Sequence, residues 1–159
     1  MKIDIICVGK LKEKYWKDAV AEYEKRLSRY CRLSILEVND ERTREDSSEA
    51  ENERVLRLEG ERIQKLISED AYTVTLEILG EEMTSPELAK RTEELFTQGV
   101  SHIQFIIGGS LGLSKELTKR SRLHLSFSKL TFPHQLMRVI LLEQIYRSFK
   151  INSGEPYHK

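Results

Sequence analysis

Four groups of residues have the types and spacing to do chemistry. The first is Gly108-Gly109-Ser110-Leu111-Gly112, which follows the apolar run His102 to Ile107. It fits G-x-S-x-G between a strand and a helix, the pattern of a serine nucleophile elbow. A triad would then need an acid and a histidine later in the chain, and no aspartate follows Ser110. The chain is also short for an α/β-hydrolase, so acyl transfer is disfavoured. The glycines match neither a dinucleotide fingerprint nor a P-loop. Two readings stay open: a tight turn, or a backbone that a small ligand approaches closely because Cβ is missing.

The second and third groups lie in Ser126 to Arg138, which runs from a short strand through a polar turn into the most apolar helix. His134 opens that helix. A helix N-terminus disfavours the imidazolium, which makes His134 either a neutral base or acceptor, or a structural hydrogen-bonder. Arg138 falls on one stripe with Leu142, Ile145 and Phe149. Such an arginine needs a partner or a ligand, and a buried salt bridge is the plain alternative to function. The fourth group is the tail Gly154-Glu155-Pro156-Tyr157-His158-Lys159. Tyr157 and His158 are types that stack on unpaired bases, although chain ends are usually disordered. His102, His124, His134 and His158 have no metal-type spacing, and neither have Cys7 and Cys31, so no metal site is expected.

Alternating elements must position these groups. Residues 2–9 read as a strand, Lys14 to Leu27 as a helix, Leu33 to Val38 as a strand, and Asn39 to Ser48 as a mobile charged loop. A helix over Glu49 to Ile67 follows, with Val55, Leu58, Ile63, Leu66 and Ile67 as a narrow stripe. Tyr72 to Ile78 is a strand ended by Gly80. Ser85 caps the next helix, with Pro86 at its first position, and Gly99 stops it after Gln98. A strand over His102 to Ile107, a helix over Ser114 to Lys119 capped by Ser114, and a strand over Leu123 to Phe127 come next. The last helix runs from His134 to Ile151, with Thr131 as cap and Pro133 at the first helical position. This β-α alternation predicts an α/β fold with a mostly parallel sheet and helices on both faces. Ligands in such folds bind beyond the carboxyl ends of strands. The ends after Leu76, Ile107 and Phe127 then become parts of one site.

Composition sets the class. Of 159 residues, 39% are hydrophobic and 33% charged, and net charge is zero. That suggests one soluble globular domain over 1–159 with a sizeable core. No run is long enough to span a membrane, and residues 1–9 read as a strand, not a signal peptide. Cysteine usage suggests a reducing cytoplasm. The charge is uneven: Glu37 to Asp70 has 12 acidic and 6 basic residues, net −6, whereas Lys115 to Lys159 has 9 basic and 3 acidic, net +6. The C-terminal third therefore suits a polyanion.

Taken together, Ile106 to Leu113, Leu125 to His134, Arg138 and Pro156-Tyr157-His158 resemble the ribosomal RNA large-subunit methyltransferase H family, a minimal branch of the SPOUT class of S-adenosylmethionine-dependent methyltransferases. Val8-Gly9-Lys10-Leu11-Lys12, Glu22-Tyr23 and Leu142 to Arg147 are similar to it as well, so the resemblance covers essentially the whole chain. It implies an α/β sheet with a C-terminal trefoil knot, a topology that no rule of sequence reading would suggest. It implies a cytoplasmic homodimer that moves a methyl group from S-adenosylmethionine to N3 of a pseudouridine in 23S rRNA, on the assembled ribosome, leaving S-adenosylhomocysteine. Carried over, the cofactor pocket is Leu76, Gly108 and the knot loop Phe127, Ser128, Lys129, Leu130, Thr131 and Phe132. Arg138, His134, Tyr157 and His158 match family positions near the reacting centre. The other reading is an RNA- or ribosome-binding α/β module without chemistry. Asn152-Ser153 stand where the family pattern suggests a more basic residue, and Arg42 to Ser48 match nothing in it.

Overall fold

The computed structural model describes residues 1–158; Lys159, the last residue of the tail pattern, lies outside them. Ten elements alternate: β1 (Lys2–Val8), α1 (Lys14–Leu27), β2 (Arg32–Val38), α2 (Glu49–Gln64), β3 (Tyr72–Glu82), α3 (Ser85–Thr97), β4 (His102–Ile107), α4 (Lys115–Arg120), β5 (Leu123–Ser126) and α5 (His134–Asn152). The strands form one sheet in the order β2-β1-β4-β3-β5, parallel throughout.

β1 and β4 are central and carry apolar side chains on both faces. Ile3, Ile5, Cys7, Ile103, Phe105 and Ile107 join Leu141, Leu142, Ile145 and Phe149 of α5 in the larger core. Ile6, Val8 and Ile106 meet Ile63 of α2 and Leu117 of α4 on the other face. At the amino ends of the strands, buried Asp4 is held by His102 at 2.8 Å and Gln104 at 3.1 Å. The carboxyl ends remain for a site.

Several expected boundaries need correction, and one matters for the site. β3 does not end at Gly80 but runs on to Glu82. Its register shifts between Leu76 and Glu81, both of which pair with Leu125. The intervening residues bulge out, as such irregularities bend a strand and re-aim its side chains. Gly80 sits there because a Cβ would lie 2.6 Å from the His124 carbonyl oxygen. Helix α2 stops at Gln64, not Ile67. The cap of α3 is Thr84, not Ser85, because Thr84 and Glu87 close a capping box, and Pro86 is the second helical residue. Pro133 is itself the cap of α5, with φ −55° and ψ 138°, and Thr131 makes no capping bond. The first half of the 39–48 loop is not loose. Arg62 donates to Asn39 O at 2.9 Å and pairs with Glu41, whose N–H donates to Glu59 Oε1 at 2.9 Å.

Candidate active site

Three strand ends enclose a cavity of about 760 Å³. The β3 bulge supplies Leu76, Glu77, Ile78 and Leu79. The end of β4 supplies Ile107 and the glycine turn. Beyond β5 come Phe127, Ser128, Leu130, Thr131 and Phe132, followed by His134 and Met137 of α5. The loop after β5 is tied to the bulge: Ser126 Oγ donates to Ile78 O at 2.9 Å, and Leu130 N–H donates to Ser128 Oγ at 3.0 Å. Apolar walls with a few polar groups, at this size, suit a nucleoside-sized ligand.

Of the residues expected to form this pocket, Leu76, Gly108, Phe127, Ser128, Leu130, Thr131 and Phe132 line the cavity, whereas Lys129 is exposed and does not. Gly108 is held to glycine by the fold itself, in addition to lining the cavity. A Cβ on it would lie 2.4 Å from Gly112 O, so the close contact is with the chain's own turn. Gly112 N–H donates to Gly109 O at 3.1 Å, and Gly112 has φ +81°, where glycine costs least. Ser110 is exposed, with its Oγ 3.1 Å from Thr43 Oγ1. Among the described residues no histidine is hydrogen-bonded to it, so the nucleophile elbow has no base.

His134 is half-buried on the cavity wall. Burial lowers its pKa below the ordinary histidine value of 6.5; the Arg138 charge lowers it further, and Asp40 opposes both. The ring is therefore neutral at physiological pH and keeps a lone pair. It rests on Gly9, where a Cβ would be 3.1 Å from Nε2 and φ is +86°.

Arg138 is 1% exposed and is not part of the cavity wall. Its Nη1 donates to Glu37 Oε2 at 3.2 Å and its Nη2 to Gly9 O at 3.1 Å, while Nε has no partner. The arginine on the apolar stripe thus has an internal partner. It locks α5 to the ends of β1 and β2, and it fixes the glycine on which His134 rests.

The described tail residues, 154–158, pack back onto the chain. Tyr157 Oη donates to Glu143 at 3.2 Å, and the ring packs edge-on against Tyr146 at 5.0 Å. Arg147 lies 4.7 Å over the Tyr157 ring and donates to His158 Nδ1 at 3.2 Å. Tyr30 Oη donates to Glu155 at 2.8 Å. Tyr157 and His158 therefore lie along α5 and do not line the chain's own cavity.

One residue escaped sequence reasoning. Glu59 is 4% exposed, in line with Val55 and Ile63 on the buried face of α2. A glutamate at i, i+4 spacing between apolar residues was the available signal. Among the described residues, no cluster of histidine, cysteine or carboxylates could hold a metal ion, and no helix is long and apolar enough to cross a membrane.

A family described as "Predicted SPOUT methyltransferase" matches residues 1–158. Ribosomal RNA large subunit methyltransferase H of Bifidobacterium adolescentis is 59% identical over the full length of both chains. Its counterpart in Bifidobacterium animalis subsp. lactis is 56% identical over the same extent. A solved structure of a probable methylase family protein from Haemophilus influenzae superposes with a TM-score of 0.55 at 12% identity, covering 99% of this chain and 70% of that one. At that identity it speaks for the fold alone.

Proposed function

This chain belongs to the SPOUT methyltransferase family, and on that premise we propose that it methylates N3 of a pseudouridine in 23S rRNA, on the assembled ribosome, with S-adenosylmethionine as donor. The observation that carries the reading is identity near 60%, end to end, with relatives named as ribosomal RNA large subunit methyltransferases. The cavity at the three strand ends supports it: Leu76, Phe127 and Met137 offer apolar wall, and Glu77, Ser128 and Thr131 offer polar groups at its edge.

When bound, the donor supplies a methyl group already activated by a sulfonium. Alignment then accounts for most of the rate. The chain's own residues must hold the acceptor in line and take one proton. As the N3–methyl bond forms and the sulfur–methyl bond breaks, the N3 proton leaves. We assign that proton to the His134 imidazole, a reading supported by its place on the cavity wall and its lowered pKa.

The same reading includes a cytoplasmic homodimer and a trefoil knot, both implied by family membership. Leu79 at 92%, Leu130 at 70% and Ile78 at 47% exposure form apolar surface at the cavity rim, where a second copy would cover them. A dimer also gives the tail a role. Tyr157 and His158 face away from their own cavity, and so they would serve the partner's.

Ligand-induced stabilisation tests the reading. At S-adenosylmethionine near 100 times its dissociation constant, unfolding free energy should rise by about 2.7 kcal/mol. For a chain of this length that raises Tm by about 5–10 °C. A Tm that does not move would exclude the enzyme and leave a binding module.

A further inference from the structure

A second cavity, of about 450 Å³, lies on the other side of the glycine turn. It meets the first at Gly109, Ser110 and His134, which line both. Its floor includes Glu59, 4% exposed, with Oε1 engaged by the Glu41 N–H and Oε2 lacking any partner. Burial raises the Glu59 pKa, and Asp40 and Glu41 add to this against the Glu41 N–H and Arg62. Residues 40–44 of the loop after β2 line it as well, among them Arg42 and Arg44. Both are exposed, and among the described residues neither is in an ion pair, whereas Glu41 beside them is neutralised by Arg62.

A buried carboxyl oxygen without a donor is costly and calls for one. Two unpaired guanidinium groups lining a cavity suit a phosphate. An RNA nucleotide carries both partners, a phosphate and a base with ring N–H groups. The methyl donor's amino-acid end also carries an anion and N–H donors, but it is small for this volume. Position favours the acceptor. The group to be methylated must lie near the donor cavity and the base that takes its proton, and His134 lines this second cavity as well as the first.

We propose that the second cavity receives the acceptor nucleotide of the RNA, with its phosphate on Arg42 and Arg44 and its base directed towards Glu59 and His134. This rests on the reading of the chain as an rRNA methyltransferase. It gives Arg42 and Arg44, in the stretch 42–48 that matched nothing in the family pattern, a function in substrate recognition.

The test uses the exposed pair, whose replacement leaves the core intact. Ribosome binding by the full chain and by the Arg42→Ala/Arg44→Ala variant is measured by filter retention across a salt series, with calorimetry of S-adenosylmethionine binding alongside. The variant should bind ribosomes at least tenfold more weakly, with the salt slope reduced by about 1–2, and keep its donor affinity within twofold. Glu59→Gln should weaken methyl transfer more than donor binding. Unchanged ribosome affinity in the arginine variant would overturn the proposal. So would a weakened donor affinity, which would place the donor's amino-acid end in this cavity. Ribosome binding is read without methyl transfer. A wild-type chain that binds in this manner but transfers nothing sinks the enzyme reading alone, and one that binds no ribosome sinks both.

Discussion

Gly108→Val should abolish S-adenosylmethionine binding while leaving a folded chain. A Cβ at this position would stand 2.4 Å from Gly112 O and 2.6 Å from its carbonyl carbon. Both are backbone atoms, which cannot swing aside as a side-chain end can. The turn from Gly108 to Gly112 would have to open, and it lines both cavities. The loss therefore comes from a deformed wall, not from a methyl group occupying ligand space. Gly112→Ala is the informative control. Nothing lies within 4 Å of its Cβ, so only its φ of +81° resists substitution, at about 1–2 kcal/mol. Gly108→Val should retain its far-ultraviolet circular dichroism and lose the donor-dependent rise in Tm. Retention of that rise would show that the turn does not shape the site.

Glu37→Ala should destabilise the chain by about 3 kcal/mol, the low end for breaking a buried ion pair from one side. Arg138 is 1% exposed and would keep only Gly9 O as a partner, with its Nε already unpartnered. The Glu37 side chain is 34% exposed, which keeps the effect from the high end. Urea unfolding should show a lower midpoint with an unchanged slope. The double variant Glu37→Gln/Arg138→Met separates stability from chemistry, since it removes both charges and puts an apolar side chain at the buried position, a change that is often neutral. It should recover most of the stability. If Arg138 acts only by holding Gly9 beneath His134, it should bind donor normally and transfer methyl slowly. Full transfer activity would remove Arg138 from the machinery altogether.

Regular periodicity was legible in the residues. The bounds expected for α1 and β4 match the structure residue for residue. Arg138 announced itself as a charge on the stripe of Leu142, Ile145 and Phe149, all buried as expected. What it pairs with was not legible, because Glu37 is 101 residues away in the chain. The β3 bulge was hidden for a related reason: it exists through the pairing of Leu125 with both Leu76 and Glu81, a tertiary fact. Ending the strand at Gly80 mistook a bulge glycine for a stop. The three strand ends were placed correctly because α/β topology directs them to one edge. The contact between Gly108 and the Gly112 backbone was not legible, since it depends on how the turn closes. The tail looked like a free end, yet it is held by contacts with Tyr30, Glu143, Tyr146 and Arg147.

Mass spectrometry of 23S rRNA from cells with and without the gene for this chain reads the proposed methylation at its product. In the deletion one N3-methylpseudouridine should become pseudouridine, and supplying the chain should restore it. An unchanged modification pattern in the deleted cells would rule out this chain as the pseudouridine methyltransferase.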